Sequence, residues 1–226
     1  MIHSGSRGIG YKMAGRHNKI AQKLCTKWHS QIPNKDHAFL PMDSDEGKAY
    51  WKDMHFSLAF AKMNRTLMML EMLQSISTAT GQESGWSNDI SAQSFDIHHN
   101  YAALENHYSK NVVVHRKGAT SARKGQLGII PGSMGTSSYI VEGLGNPESF
   151  HSCSHGAGRC MGRKQAKKTL SMEEFSAAME GIVCDVCEDN LDEAPQAYKD
   201  ISTVMKNQED LVKITHKLRA LAVVKG

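Results

Sequence analysis

Several short stretches of this sequence gather residue types that bind or move phosphate. In His155-Gly156-Ala157-Gly158-Arg159 an imidazole stands beside two glycines. Glycine has no Cβ, so a phosphate or a metal ion can approach the ring closely and backbone amides can face an anion. Arg159 can then make paired hydrogen bonds to phosphate oxygens. The same residues also read as a glycine turn with a surface histidine. Pro131-Gly132-Ser133-Met134-Gly135-Thr136-Ser137-Ser138 offers hydroxyls, glycines and amides for a phosphate or a sugar, or serves as a turn. It is not a P-loop, because the Gly-Lys-Ser/Thr ending is missing. His3 and His98-His99-Asn100 carry imidazoles suited to divalent transition ions. The run His115-Arg116-Lys117-Gly118-Ala119-Thr120-Ser121-Ala122-Arg123-Lys124 reads as a rim for polynucleotide phosphates or as a solvated loop. Few aromatics interleave with its charges, so base stacking is not indicated. Cys184-Asp185-Val186-Cys187 lacks the second CxxC arm of a zinc site and reads as free thiols. Together, His, Gly, Ser and Arg in loops flanked by basic residues suit metal-assisted phosphoryl or nucleotidyl transfer, whose chemistry is mostly positioning and charge neutralisation.

These loops need elements to hold them. Apolar spacing predicts a helix over about 11–28 and a longer one over about 45–73, the latter with methionines read as adaptable core packing. Residues 31–47, with Pro33 and Pro41, and the polar residues 75–90 are expected to be loops. Val112-Val113-Val114 reads as a β run, and residues 127–130 and 138–141 as short strands between glycines. A helix over about 172–180, a turn at Pro195 and an amphipathic helix near 209–221 complete the expectation. The fold class is α+β, with short strands, glycine-rich loops and flanking helices, in one domain over residues 1–226.

In order along the chain, His3-Ser4-Gly5-Ser6-Arg7, His99-Asn100, His115-Arg116-Lys117-Gly118-Ala119-Thr120, Pro131 to Thr136, Ser154-His155-Gly156-Ala157-Gly158-Arg159 and Lys225-Gly226 closely resemble the RtcB family of RNA-splicing ligases. Residues 53–65 and 193–199 fit as well. The resemblance implies an RtcB-type fold and GTP- and manganese-dependent joining of a 3′-phosphate or 2′,3′-cyclic phosphate RNA end to a 5′-hydroxyl end. It implies that His155 is the nucleophile that carries GMP. His3 and His99 are then manganese ligands. His99, Asn100, Pro131, Gly132, Ser133, Met134, Ser138, His155, Gly156, Ala157, Gly158 and Lys225 are guanylate contacts. Arg7, Arg116, Lys117 and Arg159 hold RNA phosphates. The implied partners are RNA (tRNA exon halves or broken RNA) and, in some members, an archease-like activator.

The family's Asp-x-Gly-Cys and Asn-His-Phe-x-Glu motifs do not occur here. Two histidines are too few to hold a divalent transition ion tightly, so the resemblance implies a separate N-terminal segment that supplies the remaining donors. A non-catalytic RNA- or nucleotide-binding fragment, or an inactive truncated ligase, is the alternative. Gly162, where the family often has Ser, is a minor departure. Composition is consistent with this reading. The chain has 226 residues, 27 Lys+Arg against 23 Asp+Glu and a net charge of +4, which permits a nucleic-acid partner without requiring one. Twelve His and 19 Gly concentrate in the loops named above. Five Cys at irregular spacing argue against a disulfide framework and for a reducing, cytoplasmic setting. No apolar run approaches the roughly 18 residues of a membrane span, and the first residues do not read as a secretory signal.

Overall fold

A computed structural model describes residues 1–81 and 94–225. They fall into two compact units, Met1–Asp96 and Ile97–Gly226. Both helices and sheet are present, in keeping with the α+β expectation.

The first unit is a helix pair. Helix α1 (Ile9–Lys27) follows Gly8, whose φ of 90° is the left-handed conformation that favours glycine. Its buried residues, His17, Ala21 and Cys25, recur every four positions and form one stripe. Helix α2 (Asp45–Thr80) starts where Ser44 Oγ accepts the Gly47 N–H at 3.0 Å, with Asp45 and Glu46 favourably placed in the first turn. It ends at Gly81, φ 66°. Gly47 itself cannot carry a Cβ, because the Pro41 carbonyl occupies that space. The two helices are joined by His17 Nε2 and Asp53 Oδ2 at 2.7 Å and by the Ser57 hydroxyl against Met13 Sδ.

Helix α2 is longer than its sequence suggests, taking in residues 74–80 of the expected loop; residues 82–90 of that loop lie outside the described residues. Its methionines are not all core. Met63 is 58% and Met68 43% exposed, as are Phe56, Leu67 and Ile76 to similar degrees. Helix α1 has 19 residues and α2 has 36, so α1 cannot cover the whole of it, and even beside the α1 contacts at Asp53 and Ser57 the Phe56 side chain faces outward.

The second unit is built on short antiparallel strands. β1 (Asn100–His107) and β2 (Lys110–Lys117) form a hairpin. Its two turn residues, Tyr108 and Ser109, both have positive φ, as a type I′ turn demands. β3 (Ala119–Ser121) pairs with β6 (Ser152–Ser154). β4 (Leu127–Ile130), β5 (Ser138–Gly143) and β7 (Val212–Leu218) make a three-stranded sheet in the order β4-β5-β7. Helices α3 (Arg163–Thr169), α4 (Met172–Ala178) and α5 (Ile201–Lys206) flank them. Ile130, Tyr139, Val141, Cys153, Ala157, Ile201 and Met205 form one apolar cluster under the strands. Met134, Phe175, Met179, Leu191 and Ala194 form a second.

One expectation fails here. Residues 212–218 are a strand, not part of an amphipathic helix. Val212, Ile214 and Thr215 are β-branched, and β5 offers an unpaired edge that takes them up. The register shifts between Ile140 and Val141, where Thr215 Oγ1 donates to the Ile140 carbonyl at 3.0 Å.

Candidate active site

The glycine-histidine loop is positioned by the small β3–β6 sheet. Ala119 pairs with Ser154, so His155 leaves β6 directly beside Gly118. Gly118 has φ 72°, a backbone conformation that favours glycine, and a Cβ there would lie 3.6 Å from the His155 ring, in ordinary contact with it. The Gly118 N–H donates to the His99 carbonyl at 3.2 Å, and Thr120 Oγ1 donates to the His98 carbonyl at 2.9 Å. These bonds dock residues 98–100 onto β3. The His99 and His155 rings consequently stand 4.8 Å apart, tilted by 39°. Asn100 and Lys117 face each other across the start of the hairpin, both exposed.

His155 is half-buried, and its Nδ1 has no hydrogen-bond partner among the described residues. His17 and His151 each carry an Nδ1 of the same kind, but the glycine surround belongs to His155. A buried ring nitrogen left unpaired costs on the order of 1–3 kcal/mol. Gly118 leaves the Cε1–Nδ1 edge of the ring without a neighbouring side chain on that side.

The Pro131–Met134 loop is docked onto the same place. The Ala157 N–H donates to the Pro131 carbonyl at 2.9 Å, and a Cβ on Gly156 would come within 3.1 Å of that oxygen. Ser138 Oγ accepts the Gly132 N–H at 3.3 Å, and Thr136 Oγ1 accepts the Ser133 N–H at 2.7 Å. Met134 is anchored in the second apolar cluster. The structure thus brings His99, Asn100, Lys117, Pro131–Met134, Ser138 and His155–Gly158 into one connected set of loops. A cavity of about 580 Å³ opens next to it, lined by Ser154, Lys199, Thr203, Asn207 and Gln208 among others.

The arginines are placed differently from a phosphate rim. Arg116 is 2% exposed. Its guanidinium donates to Glu105, Ser152 Oγ, Tyr101 OH and the Phe150 carbonyl. Glu105 also accepts from His107 and lies 3.2 Å from Arg123. Burial pushes the Glu105 carboxyl up, but the hydrogen bonds from Arg116 and His107 and the charges of Arg116 and Arg123 outweigh it and hold the group at about 2. Arg159 donates to the Met161 and Asp192 carbonyls and to Tyr198 OH, and stacks over the Tyr198 ring at 5.0 Å. Both arginines therefore brace the loops from behind.

Lys225 Nζ lies 3.3 Å from Glu193 Oε1. Glu193 is buried and also accepts the Tyr198 hydroxyl. Glu105, Glu193 and Tyr198 were not among the residues expected at the site. Nothing in their spacing announces them, although residues 193–199 lie in a stretch that carries the resemblance.

His3 and Arg7 belong to the first unit. Asn64 Nδ2 donates to Ser4 Oγ at 2.9 Å and to the Gly5 carbonyl at 3.0 Å, and Arg65 Nη1 donates to the Ser4 carbonyl at 3.0 Å. Ser6 Oγ caps α1 by accepting the Gly10 N–H at 2.8 Å. The loop is held at both ends. Among the described residues, no group of three or more His, Cys, Asp or Glu is arranged to hold a metal ion, and the Cys184–Cys187 thiols are free. The donors present do not by themselves fit a manganese centre. No described helix is long and apolar enough to cross a membrane.

Comparison with known proteins places this arrangement. A family model described as tRNA-splicing ligase RtcB matches residues 1–226. The chain is 42% identical to the RNA-splicing ligase RtcB of Escherichia coli over 226 residues, covering all of this chain and 55% of that protein. It is 33% identical to the tRNA-splicing ligase RtcB of Methanococcus maripaludis, covering 52% of it, and 31% identical to that of Pyrococcus horikoshii, covering 29%. The chain spans about half the length of the first two relatives. A match over every residue, through the loops that surround His155, makes the assignment plain: the chain belongs to the RtcB family.

Proposed function

We propose that this chain is the guanylate-bearing part of a GTP-dependent RNA ligase, with an RtcB-type fold. It joins 3′-phosphate or 2′,3′-cyclic phosphate ends to 5′-hydroxyl ends. The observation that carries the reading is the half-buried His155 ring, with an unpartnered Nδ1, between Gly118 and the Gly156–Gly158 loop. A neutral imidazole in that position attacks the α-phosphate of GTP. An N–P bond forms, the α–β anhydride bond breaks and pyrophosphate leaves. A 2′,3′-cyclic end is first opened by water, which breaks the P–O2′ bond and leaves a 3′-phosphate. An oxygen of the RNA 3′-phosphate then displaces the imidazole and takes the GMP. The 5′-hydroxyl attacks that activated 3′-phosphate, forming the new phosphodiester and releasing GMP.

In this scheme the Pro131–Met134 loop, Asn100 and Ser138 line the guanylate. Lys225 contacts it as a pure donor, which suits the acceptor edge of guanine better than the adenine edge. Lys117 and Arg7 meet RNA phosphates, while Arg116 and Arg159 hold the loops in place. Manganese, for which the resemblance offers His3 and His99 as ligands, would need donors from a further segment carrying Asp-x-Gly-Cys and Asn-His-Phe-x-Glu. The partners are RNA, that segment and an archease-like activator, in the cytoplasm.

The test is incubation with α-labelled GTP and Mn²⁺, alone and with the N-terminal portion of a relative supplied in trans. An acid-labile GMP adduct that disappears in His155→Ala is the expected result. No adduct under either condition overturns the reading. The shortage of metal donors favours a second one, a non-catalytic RNA-binding fragment: RNA retained on a filter regardless of Mn²⁺ and GTP, with no adduct, selects it.

A further inference from the structure

Glu193 is a buried carboxylate surrounded by more positive charge than it needs. Arg163 Nη1 lies 2.6 Å from its Oε1, Lys225 Nζ 3.3 Å from the same oxygen, and Arg159 Nη1 3.9 Å from Oε2. The Tyr198 hydroxyl donates to Oε2. Tyr198 hydrogen-bonds Oε2 and Arg163 leaves a positive charge beside Oε1, which accepts no hydrogen bond among the described residues, so the carboxylate keeps a counter-charge when Lys225 turns away. The carboxyl is correspondingly held below the usual range. Burial opposes this, but the hydrogen bond from Tyr198 and the Lys225 and Arg163 charges prevail.

The tail that carries Lys225 is fastened by independent contacts. The Val183 N–H donates to the Leu221 carbonyl at 3.0 Å and the Val223 N–H to the Val183 carbonyl at 2.9 Å. Val223 packs on the apolar cluster that also seats Met134, the last residue of the Pro131–Met134 loop. The backbone of the tail is therefore placed without Glu193. What Glu193 adds is the position of the ammonium at the tail's tip, which would otherwise sample many rotamers.

We propose that Glu193 is a positioning residue for nucleotide selection: it holds the Lys225 ammonium ready for a guanine acceptor edge and, with Arg163 and Tyr198, stays neutralised when Lys225 turns to the ligand. This rests on the guanylate reading of the site above. Arg163 is well exposed yet committed to the two buried carboxylates Asp192 and Glu193, as a standing counter-charge should be.

The experiment measures binding of GMP and AMP to the full chain and to Glu193→Gln, Lys225→Ala and the double variant. Glu193→Gln keeps the shape and removes the charge. GMP affinity is expected to fall about tenfold, the effect of one charge-assisted hydrogen bond, with AMP affinity unchanged. The double variant is expected to be no worse than Lys225→Ala, because both substitutions remove the same interaction. Glu193→Asp, which restores the charge, is expected to recover part of the guanine preference. Slower or faster amide exchange at Val223 reads tail anchoring without nucleotide, and it should be unchanged in Glu193→Gln. If wild type binds GMP preferentially and Glu193→Gln keeps that preference while losing thermal stability, Glu193 is structural and the inference fails alone. Additive losses in the double variant overturn it as well. If wild type shows no guanine preference, the guanylate reading falls and this inference falls with it.

Discussion

Arg116 Nη1 lies 2.5 Å from Glu105 Oε1 and Nη2 3.1 Å from Oε2, a two-pronged pair with both side chains buried between β1 and β2. Because Arg116 also holds Ser152 at the start of β6 and the Phe150 carbonyl, this pair ties the hairpin to the strand from which His155 emerges. Removing one partner strands the other as an uncompensated charge.

Arg116→Met should therefore destabilise the second unit by about 3–5 kcal/mol in chemical denaturation. The same pair predicts the acid limb. A carboxyl held at about 2 in the folded chain, against 4.5 unfolded, adds stability that is present above 4.5 and is lost as pH falls toward 2. Stability measured across that window should decline less steeply in Glu105→Gln. An unchanged slope would mean Glu105 is not the group being titrated.

Gly118 makes a second case. Its φ of 72° disfavours any side chain by about 1–2 kcal/mol. Added methyl carbon would sit 3.6 Å from the His155 ring, ordinary contact distance, so the protein can fold around it but the ring loses an open side. Gly118→Ala should unfold at modestly lower denaturant and form the GMP adduct much more slowly. Full-rate adduct formation in that variant would show that nothing approaches His155 from the Gly118 side.

The contrast between Gly118 and Arg116 shows what the sequence makes legible. Glycines beside a histidine imply close approach to the ring, because the absence of a Cβ has a direct geometric meaning. Arg116 sits in a run of basic residues, and local charge density says nothing about which side chain turns inward; only the hydrogen bonds that the fold lets it make to Glu105 and Ser152 decide that. Helices α1 and α2 announce themselves through apolar spacing, but the end of α2 does not, since its last turns, residues 75–80, are polar and read as loop. The β1–β2 hairpin does not, since Tyr108-Ser109 lacks the Asn-Gly signature of a type I′ turn. Residues 212–218 have a polar-apolar spacing that suits a helix or a strand, and the open edge of β5 settles it. Glu193 and Tyr198 acquire their relation to Lys225 only through the fold.

The His3–Arg7 loop owes its shape to α2. Asn64 and Arg65 together supply three hydrogen bonds to residues 4 and 5, and Arg65 is itself held by Asp96. Replacing both by Ala should leave α2 helical but release the loop. The Gly10 amide, which donates to Ser6 Oγ, reports this directly. Its hydrogen exchange should accelerate about tenfold, the loss of roughly one hydrogen bond of local stability. An unaltered exchange rate would mean that the α1 cap alone organises the loop.

Tyr198 supplies a test at the other end of the pH scale. Burial raises its phenol, and donation to the Glu193 carboxylate raises it further, to about 12 from 10. A group whose folded value lies above its unfolded value contributes stability that is fully present below 10 and is lost as pH rises toward 12. Two measurements follow. Phenolate absorbance should show a late-titrating tyrosine that disappears in Tyr198→Phe, and the alkaline loss of stability between 10 and 12 should be shallower in that variant. Glu193→Gln removes the negative charge that opposes phenolate formation, so in that variant the late tyrosine should titrate earlier. If Tyr198 titrates at its ordinary value while Glu193 is intact, the Tyr198–Glu193 hydrogen bond does not persist in solution, and the counter-charge arrangement that frees Lys225 loses one of its two supports.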